Sequence, residues 1–175
     1  MIPIKKDKQK KEKMRKIVGV EGSVSKFNQK LFDKYDVQAR QLLKDILQDF
    51  VKDNDDVYAE DLKITVKPFP YKYIEIQVYA TWNTDVFPHL YPFIYARKMR
   101  FSKKTLFVAF NKFMTELIIF DKKSICKIPS RLKKYDRELV HYVEWSKCIK
   151  TKTENFSFNT IKEYCGELTD FEEIV

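Results

Sequence analysis

Ala59-Glu60-Asp61-Leu62-Lys63-Ile64 and Tyr73-Ile74-Glu75-Ile76-Gln77-Val78 are the segments on which the fold turns. Each alternates apolar and polar residues, the period of a half-buried strand. The spacing predicts a strand over residues 61–67, with Leu62, Ile64 and Val66 on one face. It predicts a second over residues 71–81, with Ile74, Ile76 and Val78 on one face and Tyr73, Glu75, Gln77 and Tyr79 on the other. Pro68-Phe69-Pro70 breaks the chain between them, so the pair reads as a hairpin that carries one carboxylate on each arm. The register follows the length of the connection. Three connecting residues pair Lys67 with Tyr71 and Asp61 with Gln77, which sets Asp61 diagonal to Glu75 on one face. Four turn Asp61 to the opposite face, and a bulge restores it.

Working outward, residues 32–51 read as an amphipathic helix. Tyr35, Ala39, Leu42, Leu43, Ile46, Leu47 and Phe50 recur at intervals of three and four. Asp33 or Asp36 is placed to cap it, and Arg40, Lys44, Asp45, Gln48, Asp49 and Lys52 fall on its polar side. After the second strand, residues 82–91 read as a loop, and residues 91–102 as a basic, aromatic short helix or turn. Thr105 to Phe110 and Glu116 to Phe120 are apolar runs of strand length, joined by a turn over residues 111–115. Residues 131–148 show helical spacing at Leu132, Tyr135, Leu139 and Val143. A short helix is expected over residues 156–164, and an acidic tail follows. The fold class is therefore α/β, a mixed central sheet flanked by helices. Residues 1–26 form a basic N-terminal arm, residues 27–130 the core, and residues 131–175 a C-terminal extension packing on that core.

The 175 residues suffice for one domain with a sizeable core, and 44% are hydrophobic. Only 3 are Gly, and neither GxxxxGK[ST] nor GxGxxG occurs, which argues against a P-loop or dinucleotide fold. The formal net charge is +9. Residues 5–16 alone hold eight Lys or Arg against two acids. Such a block is a solvated arm or a polyanion-binding one. It has no apolar core, so it reads neither as a signal peptide nor as a membrane anchor. Cys126, Cys148 and Cys165 are odd in number and form no CxxC pair, the pattern of a reduced intracellular protein, cytoplasmic or nucleoid/nuclear. His89 and His141 have no Ser, Cys or zinc-ligand constellation around them.

Paired carboxylates on a basic protein suggest a divalent cation beside a phosphate backbone. The order of elements goes further. A helix, a strand bearing Asp61, a strand bearing Glu75-Ile76-Gln77 and then a strand pair resemble the PD-(D/E)xK, or restriction-endonuclease-like, nuclease superfamily. Glu60 stands where that family often has Pro, and Gln77 where it usually has Lys; some members carry Glu-x-Gln. Trp82, Phe87-Pro88, Arg97-Lys98 and the strand ending in Phe110-Asn111 are similar to a subset in which an Arg-Lys pair follows the catalytic strand.

The resemblance implies a restriction-endonuclease-like core that hydrolyses phosphodiester bonds. Asp61, Glu75 and the carbonyl of Ile76 would hold Mg2+ or Mn2+. Gln77 would orient a water, and Lys98 would supply the missing cation. In some members an acid on the first helix, here Asp45 or Asp49, completes the metal site. Lys72, Arg97, Lys98 and Arg100, interleaved with Tyr71, Tyr73, Tyr79 and Tyr95, would contact nucleic acid. DNA is the expected substrate, with RNA not excluded; no membrane is implied, and a homodimer is compatible. Two alternatives remain at this point. One is a nucleic-acid-binding protein of the same fold without catalysis. The other is a basic structural or assembly protein of a virus or phage.

Overall fold

The structure, a computed structural model, describes residues 35–132 and 135–174. The arm over residues 1–26 and the capping candidate Asp33 lie outside them. The first helix, α1 (Val37–Leu47), is shorter than the expected span. It ends in a 3-10 turn over Gln48–Phe50 and runs straight into β1 (Val51–Asp53). Asp36 sits at its N-cap but makes no side-chain capping bond, because its own backbone is already helical.

The expected strands appear as β2 (Leu62–Ile64) and β3 (Tyr73–Tyr79). They pair antiparallel, Leu62 with Ile74 and Lys63 with Tyr73. The three-residue connection would have set Lys63 opposite Glu75, so the register is offset by two residues. The cause is a wider connection: the last rung is Ile64 N–H to Lys72 C=O, and residues 65–71 form the turn. An even offset keeps every side chain on its expected face. The later strands are β4 (Phe93–Tyr95), β5 (Thr105–Asn111), β6 (Glu116–Asp121), β7 (Ser130–Leu132), β8 (Tyr135–Tyr142) and β9 (Ile149–Lys152). A second helix, α2 (Phe158–Ile174), follows.

The main sheet has six strands in the order β1-β2-β3-β5-β6-β9. All neighbours are antiparallel except β3 and β5, which run parallel from Tyr73/Thr105 to Tyr79/Asn111. A parallel pair needs a crossover. Here the crossover is the stretch containing β4 and a 3-10 helix over Ala96–Arg100. The strands β4, β8 and β7 form a separate three-stranded sheet.

The two faces of the main sheet carry two cores. On one, Ile64, Ile74, Ile76, Leu106, Val108, Phe110, Leu117 and Ile119 pack with Ala39, Leu43 and Leu47 of α1 and with Ile161 and Tyr164 of α2. On the other, Tyr79, Phe107, Ala109, Ile118 and Phe120 pack with Phe93, Ile94 and Val140 of the small sheet. The result is a helical layer, a six-stranded sheet and a three-stranded sheet. Every residue of β5 is buried, as the runs of apolar residues implied.

Two expectations fail. Residues 131–148 are not a helix. They supply β7, β8 and a 3-10 turn over Trp145–Lys147. The backbone of β4 must find partners on its outer side, and β8 provides them through Phe93/Tyr142, Ile94/His141 and Tyr95/Val140. Val140, Tyr142 and Val143 are also residues that favour strands over helices. The second failure is Arg40, expected on the solvent side of α1 but 2% exposed. It lies one residue from the Ala39–Leu43–Leu47 stripe and is buried with it. The segment after residue 131 also does more than rest on the core: β9 is a strand of the main sheet, and Ile161, Tyr164 and Cys165 belong to its helical-side core.

Candidate active site at the open rung of β3

Strand β2 begins at Leu62, one residue after Asp61, while β3 continues past Ile74 to Tyr79. The next rung on that edge of β3 belongs to Ile76, and β2 has no backbone there to meet it. The Ile76 N–H donates instead to the Asp61 carboxylate, Oδ2 at 3.0 Å. The Ile76 carbonyl, on the same edge, accepts from Lys98 Nζ at 3.4 Å. Lys98 Nζ also lies 3.2 Å from Glu75 Oε2, with the two side chains 17% and 7% exposed. Asp61, Glu75, Ile76 and Lys98 thus meet at one open rung.

The second oxygen of Glu75, Oε1, is buried with no hydrogen-bond partner among the described residues. An ionised oxygen in that state is costly unless a cation compensates it. Glu60 is buried beside the cluster, where Thr105 Oγ1 donates to its Oε2 at 2.6 Å. A shallow depression opens next to Asp61, lined also by Arg40, Asn54, Asp56 and Glu60. Arg100 stands at the rim. Burial pushes its guanidinium down from the usual arginine range, while Glu75, Glu60 and Asp56 pull it back up. Its Nη1 donates to the Tyr58 carbonyl at 2.8 Å.

Gln77 has a structural task that its place in the motif does not suggest. Its Nε2 donates to the Phe93 carbonyl at 2.7 Å, which commits the amide nitrogen to β4. Tyr79 reinforces the same point: its hydroxyl donates to the Phe93 carbonyl at 2.6 Å and accepts the Phe93 N–H at 3.0 Å. Burial raises the Tyr79 hydroxyl pKa far above the ordinary tyrosine value. This clamp fixes where β4 starts, and the following 3-10 segment, Ala96–Arg100, carries Lys98 back to Glu75. Lys122 holds that segment from the other side, donating to the carbonyls of Met99 at 2.6 Å and Phe101 at 3.2 Å. Lys122 was not singled out in the sequence and carries no local signal. Tyr79 was, but as an aromatic of a nucleic-acid surface, whereas its ring is buried.

The remaining candidates separate. Arg97 turns its guanidinium over the Tyr95 ring, 4.6 Å from the centroid. Lys72 is exposed, and its backbone N–H donates to the Lys104 carbonyl. Asp45 accepts from Gln41 Nε2 on the exposed side of α1, and Asp49 is likewise exposed. Helix α1 covers the opposite face of β3 from Glu75, so neither acid joins the cluster. His141 Nδ1 lies 2.7 Å from the Cys126 carbonyl, and His89 Nε2 3.2 Å from Thr81 Oγ1; both tie loops together. Cys126, Cys148 and Cys165 form no disulfide.

Among the described residues no group of three or more His, Cys, Asp and Glu side chains is gathered as a metal site. The cluster at the open rung is a different donor set: two carboxylates, one backbone carbonyl and a lysine. No helix among them is long and apolar enough to cross a membrane. Comparison of the chain with protein-family models, with curated proteins and with solved structures finds no match.

Proposed function

We propose that the chain is a divalent-metal-dependent nuclease that hydrolyses phosphodiester bonds in DNA, with a core of the restriction-endonuclease-like type. The observation that carries this reading is the convergence of Asp61, Glu75, the Ile76 carbonyl and Lys98 on one rung of β3. The donors suit Mg2+ or Mn2+. All are hard oxygens, and the buried Glu75 Oε1 has no hydrogen-bond partner among the described residues. Asp61, Glu75 and the Ile76 carbonyl are the groups to hold the ion. A bound divalent ion supplies a Lewis acid for the phosphate and lowers the pKa of water.

The chain's own residues do the rest. Lys98 places a positive charge beside Glu75, where negative charge develops on a phosphate during hydrolysis. Gln77 acts as a positioning residue: it anchors Phe93 and so sets the approach of Lys98. Its Oε1, which has no hydrogen-bond partner among the described residues, stays available for the water-orienting role that its place in the motif suggests. Arg100, at the rim, and Lys72 offer cations to the backbone. A shallow depression borders the cluster at Asp61.

A second reading has an observation of its own. Lys98 already neutralises Glu75, so the cluster is complete as an internal ion pair. On that reading the chain binds nucleic acid without cleaving it. One experiment separates the two. With Mg2+ or Mn2+, the wild-type chain should nick supercoiled plasmid, and Glu75→Ala should lose on the order of a hundredfold or more in rate. Equal nicking by both proteins would sink the nuclease assignment. Retention of plasmid in a mobility-shift gel, without nicking by either protein, would favour the binding reading.

A further inference from the structure

Lys98 Nζ touches two oxygens, Glu75 Oε2 at 3.2 Å and the Ile76 carbonyl at 3.4 Å. These are two of the three donors assigned above to a divalent ion. An ammonium and a dication compete for them, because both draw on the same two groups and the two charges repel at close range. Glu75 is poorly placed to stay bare. It is 6% exposed, and its other oxygen has no partner among the described residues. A carboxylate held in that way is costly while it is ionised unless a cation compensates it.

We propose that Lys98 is an internal counter-cation, which keeps the metal-binding oxygens occupied until a divalent ion displaces it. The inference rests on the reading of Asp61, Glu75 and Ile76 as the metal-binding groups. The architecture suits an exchange of side chain without movement of backbone. The segment that carries Lys98 is pinned by Lys122 at Met99 and Phe101 and, through β4, by Gln77 and Tyr79 at Phe93. The lysine stem is flexible, with three donors and no acceptor at its tip, so the ammonium can leave both oxygens together. Two consequences follow. Metal affinity is lowered by the work of expelling Lys98. The expelled ammonium remains at the site, uncommitted, at the moment the ion arrives. Metal loading then frees the cation that a phosphate needs, and the unloaded site keeps that charge quenched.

The test is a Mn2+ binding isotherm on the full chain, with free Mn2+ counted by electron paramagnetic resonance. It is run at fixed ionic strength and mildly alkaline pH, where carboxylates are ionised. Lys98→Met should bind Mn2+ on the order of tenfold more tightly than wild type, since no charge-assisted contact is lost on loading. Lys98→Arg should bind no more tightly than wild type, and Glu75→Gln should lose the site. If a folded Lys98→Met binds no more tightly while wild-type binding still depends on Glu75, the inference is overturned and the nuclease reading stands. If no variant binds Mn2+, both fall, and the wild-type isotherm shows it. Because removing Lys98 leaves a buried carboxylate, a second measurement uses the unmodified protein. The Lys98 ammonium resonance, assigned by its loss in Lys98→Arg, is followed through a Mg2+ titration. It should shift with the midpoint of metal binding, and a resonance that stays still while Mg2+ binds at Glu75 would overturn the proposal.

Discussion

Tyr71 and Asp121 lie fifty positions apart and form one of the chain's buried polar contacts. The Tyr71 hydroxyl donates to Asp121 Oδ2 at 2.7 Å. The other carboxylate oxygen accepts from the backbone and hydroxyl of Ser124, at 2.9 and 2.6 Å. Burial drives the Tyr71 pKa well above the ordinary tyrosine value, and the hydrogen bond and charge of Asp121 add to it. The sign follows directly. A hydroxyl whose folded pKa is raised contributes its full stabilisation below the unfolded tyrosine pKa of about 10, and loses it as the pH climbs beyond. Tyr71→Phe should cost about 1.5–3 kcal/mol at neutral pH, the usual range for a bond to a charged acceptor. It should also make the alkaline loss of stability shallower, as read from urea titrations at a series of pH values. Steepening of that loss would refute the assignment. Single residues are also where the sequence was most and least informative. Asp61 and Glu75 could be marked from their strand context and Lys98 from its basic segment, and the fold brings all three to Ile76 and its neighbour. Gln77 could be marked but not understood, because its partner is a backbone carbonyl sixteen positions away. Arg40 was misassigned because helical spacing leaves residues beside the apolar stripe ambiguous, and the depression it lines exists only in the fold.

At the scale of elements, legibility tracked how far each segment depends on others. The apolar runs of β5 and β6 and the alternation of β3 specify strands by themselves. Strands β1, β4, β7 and β9 have three or four residues each, too short for any period to register. They exist because a neighbour offers an unpaired edge. Strand β8 shows the strongest override, since its helical spacing yields to the open edge of β4. Helix α2 was legible in its first turns, where Phe158, Ile161, Tyr164 and Cys165 repeat at intervals of three and four and become buried. That burial implies that α2 is as much a part of the core as α1. Ile161 is fully buried against the main sheet, so Ile161→Ala should cost about 2–5 kcal/mol in denaturant melts. A loss below about 0.5 kcal/mol, the size typical of a surface site, would show that α2 only rests on the domain.

For the whole molecule, the distribution of charge matters more than its total. The net +9 is concentrated in residues 5–16, with eight cations against two acids, ahead of the described fold. If the arm contacts a phosphate backbone, each neutralised phosphate contributes counterion release, and log K falls with log salt by about 0.9 per contact on duplex DNA. Deleting residues 1–26 should therefore weaken duplex binding and flatten the salt slope by several units. The thermal melt of the folded part should be nearly unchanged. An unaltered slope would leave the arm as a plain solvated tail. The main sheet has two outer strands, and both are ill suited to extension. Strand β1 has only three residues and β9 only four, with Lys152 exposed and Lys150 drawn back to Glu116 and the Asp85 carbonyl. Another strand laid along either would gain few rungs, and along β9 it would meet the exposed Lys152. Self-templated growth into ribbons or filaments is thereby discouraged at both margins. The highly charged chain can reach high local concentration without its sheets fusing.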